Sequence, residues 1–306
     1  MRVFVTGATG HIGSLVVAEL LQAGHQVVGL ARSDTSAAGL AAMGAAVQLG
    51  TLDDVDRLRA GANVADGVIH LAFDHNFADH TSAVRMDLRA VETLGRALEG
   101  SGKPFVVTSG TLLLTYVLPS GRVGTEDDAA HGNPAAVSRI DSENLAIALA
   151  ERGVRSSVVR LAPTVHGPAD AHGFVPSLIR IARDKGFSAY VGDGSNCWPA
   201  VHERDAARLF RLALETAPAG SRLHGVGDEA IPFRTIAEIV GRHLNLPVVS
   251  IPRDEADAHF GFLGAIVSAN NPTSSALTQE RLGWRPTHPG LIADLEAGHY
   301  FNRTAA

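Results

Sequence analysis

Three glycines, Gly7, Gly10 and Gly13, stand in a G-x-x-G-x-x-G spacing between an apolar run, Val3-Phe4-Val5, and a second one, Leu15 to Leu21. That arrangement suits two phosphates. Gly7 permits a tight turn, Gly10 lets backbone approach a pyrophosphate, and Gly13 lets a helix pack closely on a strand. Thr9, His11 and Ile12 complete the turn, and the unpaired N–H groups opening the helix carry partial positive charge toward an anion. About twenty residues beyond the glycines, dinucleotide folds place an acidic side chain on the ribose hydroxyls. Here that place holds Ala31, Arg32 and Ser33. A guanidinium and a hydroxyl suit a 2′-phosphate, so NADP(H) is expected in preference to NAD(H). Leu52 and Asp53 follow a third strand, on the edge where an adenine ring would lie. His75 and His80 have no third ligand at useful spacing, so no metal is expected.

The elements that must position these groups alternate. Strands read at 2–6, 27–30, 46–49, 65–73, 105–110 and 154–161, with helices at 11–21, 37–43, 79–99 and 134–151; the last is capped by Asn133 with Pro134 in its first position. Such alternation means a doubly wound α/β fold of the Rossmann type, a parallel sheet with helices on both faces. From Ala162 the rhythm loosens. Residues 162–168 read as a loop, 173–185 as a helix, and 205–216 as a helix with Asp205 as its N-cap. The expected division is a cofactor-binding domain over 1–165, with 200–228 returning to it. A smaller mixed substrate-binding part would comprise 166–199 and 229–306.

Composition narrows the function. The chain has 306 residues and a formal net charge of -6, which argues against a nucleic-acid or anionic-membrane partner. The single cysteine, Cys197, rules out an internal disulfide framework, fits a reducing cytosol and reads as structural. No apolar run is long enough to span a membrane, and the chain opens on a strand rather than a leader, so a cytoplasmic protein is expected.

Together these residues resemble the extended short-chain dehydrogenase/reductases, the NAD-dependent epimerase/dehydratase family. The resemblance rests on the glycine triplet, His70-Leu71-Ala72, Thr108-Ser109, Arg160 with Pro163, Val165-His166-Gly167-Pro168, Val191 to Gly194, and Val201-His202 with Asp205. It implies a nicotinamide cofactor with Pro163 and Val165 beside the nicotinamide. Leu71, Ala72 and Phe73 would lie beside the adenosine. Small-molecule substrate would lie under the C-terminal part, with Trp198 and His202 where the pocket closes. It also implies a homodimer through helices 79–99 and 134–151.

The family's catalytic set does not carry over. Its Tyr position is Ala135, its Lys position is Arg139, and its hydroxyl position is Gly110, flanked by Ser109 and Thr111. Arg139 stays protonated at any working pH; it suits a ribose or an oxyanion but is a poor acid or base. The proton must then come from His131, Tyr116, His166 or His75, with Ser109 or Thr111 polarising a carbonyl. The expected activity is NADP(H)-dependent oxidation or reduction of a carbonyl or alcohol group. An epimerase or dehydratase is the first alternative. A cofactor-sensing regulator, similar to the NmrA-like branch, is the second.

Overall fold

Val3, Phe4 and Val5 are fully buried because their strand is covered on both faces. The computed structural model describes residues 1–74, 79–130 and 139–302. The chain begins β1 (Arg2–Thr6), α1 (His11–Gln22), β2 (Gln26–Ala31), α2 (Asp34–Ala42), β3 (Ala46–Leu49) and α3 (Val55–Val64). It returns through β4 (Gly67–His70), α4 (His80–Leu98), β5 (Pro104–Gly110), α5 (Ile140–Ala148) and β6 (Arg155–Leu161). Next come β7 (Thr164–His166), α6 (Phe174–Lys185), β8 (Ser188–Val191), β9 (Cys197–His202), α7 (Glu203–Thr216) and β10 (Ser221–Gly225). The remainder is β11 (Asp228–Pro232), α8 (Phe233–Leu244), β12 (Val248–Ile251), α9 (Ala256–Phe260), α10 (Gly264–Val267), α11 (Ala276–Leu282) and α12 (Leu291–Glu296).

Seven strands form one sheet in the order β10-β6-β5-β4-β1-β2-β3, with every pairing parallel. The chain runs outward from β1 to β3, then crosses back to β4 on the other side of β1. That reversal opens a crevice beyond the carboxyl ends of β1 and β4, the place where such sheets bind ligands. One sheet face packs on α1 and α7, with Trp284 in that core; the other packs on α3, α4 and α5. A second core gathers α6, α8 and the C-terminal helices around Trp198, beside a three-stranded sheet β11-β9-β7 and a pair β12-β8. The architecture is the expected Rossmann sheet with a smaller mixed part.

Three local readings change. Helix α3 has no counterpart in the sequence reading. Residues 162–168 hold a short strand, because Thr164, Val165 and His166 pair with β9. Helix α7 starts at Glu203, and its N-cap is His202, whose ring nitrogen accepts from Arg204 N–H. Asp205 is an anchor instead: its buried carboxylate accepts from the N–H groups of Thr287 and His288 at 3.0 and 2.9 Å. Residues 134–138, the opening of the helix expected over 134–151, lie outside the described residues, and α5 is seen from Ile140.

The seam between β10 and the C-terminal segment rests on His224. Its Nδ1–H donates to Ser274 O at 2.7 Å, and its Nε2 faces Arg160 Nη1 at 3.3 Å. A proton on Nε2 would oppose the guanidinium. Burial first, with Arg160 adding to it, pushes the imidazole down to about 4 from 6.5. A depressed histidine leaves stability intact above pH 6.5 and withdraws it as the pH falls toward 4, because the unfolded chain then binds the extra proton. Chemical denaturation between pH 7 and 4 should therefore show a loss on the order of 3 kcal/mol attributable to this residue. His224→Gln should flatten that part of the profile.

Candidate functional site

The phosphate cradle is built by backbone contact. Gly7 has φ +69°, and a Cβ there would lie 2.6 Å from Ala72 N. A Cβ on Gly13 would overlap Gly7 O, whereas one on Gly10 would meet only Gly7 O, at 3.3 Å. Gly7 and Gly13 therefore close the β1–α1 turn against β4, and Gly10 keeps its outer side open. No side chain caps α1 and its first turn has no acidic residue, so the N–H groups of His11, Ile12 and Gly13 face the opening. Thr9 and Gly10 are exposed at its rim. These features fit a dinucleotide's diphosphate.

His11 does more than supply backbone. Its Nε2–H donates to Glu203 Oε2 at 2.7 Å, and the same carboxylate accepts from Ala169 N–H at 3.0 Å. Burial pushes the Glu203 carboxyl up, but His11 and the Ala169 amide outweigh it and hold it below its usual range. One buried carboxylate thus bolts the glycine turn to α7 and to the loop after β7. Sequence offers no signal for a pair 192 residues apart.

A second polar chain crosses the crevice between β1 and β4. The Thr6 hydroxyl meets His70 Nδ1 at 2.7 Å, and His70 Nε2 meets Asp87 Oδ1 at 3.3 Å. Asp87, fully buried on α4, takes Arg139 Nη2–H at 3.0 Å and Nε–H at 3.3 Å. Burial would raise Asp87, but the Arg139 guanidinium and His70 outweigh that and hold it far below the carboxylate range. The guanidinium also lies over the Phe73 ring, 4.6 Å from its centre. Leu71 and Ala72 are half-buried at the exit of β4, tied to Thr6 by backbone N–H groups.

The other expected residues are distributed as follows. Arg32 and Ser33 are exposed at the end of β2; Ser33 caps α2, and Arg32 makes no ion pair among the described residues. Leu52 is half-buried and Asp53 exposed on the next edge. Pro163 and Val165 are half-buried flanking Thr164. Ser109 is 4% exposed, and its hydroxyl is buried without a hydrogen-bond partner among the described residues, close to Glu143. Burial pushes that carboxyl up, and Arg160, Ser109 and Arg222 together hold it down. Thr111 is fully buried and accepts from Asn271 Nδ2–H at 2.9 Å. Tyr116 is 56% exposed. His166 is fully buried and bonded through Nδ1 to Asp294 at 2.8 Å, away from any opening. Trp198 is also fully buried, its indole N–H on Ile266 O, so it fills the second core rather than a pocket wall. Cys197 is half-buried, its thiol pushed up by burial, as suits a structural cysteine. His75 and His131 lie outside the described residues. Among the described residues no cluster could hold a metal ion, and no helix is long and apolar enough to cross a membrane.

A pocket of about 320 Å³ opens between residues 114–124, which follow β5, and residues 268–272 of the C-terminal part. Tyr116 stands at it, and Asn271 joins its wall to Thr111. The sequence reading contains neither the pocket nor Asn270 and Asn271.

Comparison with known proteins agrees with this geometry. An uncharacterized protein of Schizosaccharomyces pombe is 50% identical over 301 residues, 98% of this chain and all of that protein. The 4-hydroxy-2-methyl-3-oxo-4-farnesyl-3,4-dihydroquinoline-1-oxide ketoreductase of Stigmatella aurantiaca is 29% identical, over 72% of this chain and 66% of its own length. Among solved structures, the UDP-glucose 4-epimerase of Thermus thermophilus in complex with NAD superposes with a TM-score of 0.76 at 20% identity, covering 99% of this chain and all of that one. The sequence model of the NAD dependent epimerase/dehydratase family matches residues 3–224, from the glycine cradle through the whole parallel sheet. With that match, the seven-stranded order and the crevice at β1 and β4, the chain belongs to the NAD-dependent epimerase/dehydratase family, among the extended short-chain dehydrogenase/reductases.

Proposed function

We propose that this protein is an NADP(H)-dependent oxidoreductase acting on a carbonyl or alcohol group of a small molecule. The observation that carries the reading is the open glycine cradle with the exposed Arg32 at the end of β2. The cradle takes the diphosphate, and Arg32 with the Ser33 hydroxyl takes a 2′-phosphate. A nicotinamide cofactor bound there supplies or accepts hydride. The ketoreductase relative supports carbonyl chemistry.

The rest falls to the chain's own residues. Arg139 replaces the family's Lys; Asp87 and Phe73 hold it in one place, so it binds a ribose hydroxyl or steadies an oxyanion without moving a proton. Thr111, fully buried, accepts from Asn271 and so positions that amide rather than meeting substrate itself. Ser109 is buried beside Glu143, and its hydroxyl has no hydrogen-bond partner among the described residues. Among the described acid–base candidates, His166 is sealed in the core, and Tyr116 opens on the pocket. Tyr116 therefore supplies the proton.

Two variants test this. Arg32→Ala should weaken NADPH about 10-fold or more, the worth of a charge-assisted hydrogen bond, while NADH changes little. Equal losses in a fluorescence titration of both cofactors would remove the phosphate assignment. Tyr116→Phe should lower kcat about 100-fold or more with cofactor affinity intact. Unchanged kcat would remove Tyr116 from the mechanism, and cofactor binding without turnover on any carbonyl would favour a sensor.

A further inference from the structure

The pocket beside β5 differs in charge from what a sugar-nucleotide substrate needs. Of the described residues lining it, Arg122 alone is ionised; it is half-exposed and paired, its Nη2–H donating to Asp128 Oδ1 at 2.5 Å. Asp128 is itself 9% exposed and locked by the Thr125 N–H at 2.8 Å and hydroxyl at 3.0 Å. The two internal stretches outside the described residues, 75–78 and 131–138, contain no Lys or Arg. Among the described residues, a diphosphate entering here would give up its water for a single half-exposed guanidinium already paired with a carboxylate. The volume, about 320 Å³, is also at the low end of the roughly 300–1,000 Å³ typical of small-molecule sites.

One wall is built to donate a hydrogen bond. Asn270 Oδ1 accepts from the backbone N–H of Cys197 at 2.8 Å. Its neighbour Asn271 is held through its N–H to Cys197 O at 2.9 Å, and Asn196 Nδ2–H ties down the carbonyls of Val267 and Ala269. The wall is therefore fixed to β9. Because a backbone N–H demands an acceptor, the orientation of the Asn270 amide is determined, and its NH2 is the end left for a ligand. Leu114, Leu118 and Pro272 supply apolar surface around it.

We propose that this pocket is the substrate site of the reductase reading, on which the proposal rests, and that it selects an uncharged carbonyl compound with an apolar body. Asn270 donates to an oxygen of that compound, and the Arg122–Asp128 pair withholds a cation from phosphorylated competitors. Asn270 is thus a specificity-determining residue, and Asp128 sets specificity through Arg122.

Ligand-observed NMR on the full chain with NADP+ tests both halves, using acetophenone as the neutral probe and UDP-glucose as the anionic one. Acetophenone should bind saturably in the wild type, and UDP-glucose should not. Asn270→Asp keeps the acceptor for the Cys197 N–H and removes the donor, so acetophenone should weaken 5-fold or more; Asn270→Leu, which removes the donor and that acceptor together, should weaken it likewise should the first variant fold poorly. Asp128→Asn, which frees Arg122, should gain measurable UDP-glucose binding. Wild-type binding of UDP-glucose, absence of acetophenone binding, or an acetophenone affinity indifferent to both Asn270 variants would each overturn the proposal. So would an Asp128→Asn protein that still ignores UDP-glucose. Titrating NADPH in the same samples separates the two failures. Lost NADPH binding with probe binding intact removes the reductase reading and leaves the pocket standing.

Discussion

A carboxylate with no exposed surface, Asp87, constrains everything around the cofactor crevice. An ionised carboxylate in the interior must be compensated by close donors, or its burial costs several kcal/mol. The chain meets that demand with Arg139 from the start of α5 and His70 from β4, and His70 in turn engages Thr6 at the end of β1. The ends of β1 and β4, the start of α5 and the middle of α4 are thereby fixed together at the point where the strand order reverses. The pairing also changes what Arg139 offers a ligand. Neutralised by Asp87, it contributes a fixed set of N–H donors more than a free positive charge.

Two more buried carboxylates repeat the device elsewhere. Glu143 on α5 gathers Arg160 from β6 and Arg222 from β10, and so secures the far side of the sheet under Ser109. Glu203 joins His11 to the loop after β7, so the glycine turn and the start of the second core share one anchor. Breaking any of these by removing one partner would leave an uncompensated charge inside, which is far more damaging than losing a surface pair. The polar interior therefore specifies how the elements of the site meet, while the apolar cores supply most of the burial.

The alternation of strands and helices was readable in the sequence because its periods are regular and its glycine turn has a physical reason for each residue. Helix α3 was not, because it packs with small residues: a Cβ on Gly61 would lie 2.5 Å from the Phe4 ring, and Ala62 beside it is fully buried. Such a helix has no stripe of large apolar side chains to betray it. Asp205 sits where an N-cap would be expected, but its role is set by Thr287 and His288, some eighty positions away. Residue types alone likewise could not distinguish a histidine aimed at substrate from His166, whose partner Asp294 is 128 residues on. The glycine cradle came from local pattern, whereas Asp87, Glu203 and Asn270 emerge only once the chain has folded back on itself.

The two tryptophans fall in separate cores, Trp284 in the one between the parallel sheet and α1 and α7, Trp198 in the one beneath the C-terminal helices, both wholly shielded from water. Their emission therefore reports on two separate interiors. A protein with only one of them retained would signal the melting of a single half, so the molecule carries an internal pair of optical probes for asking whether its halves come apart together.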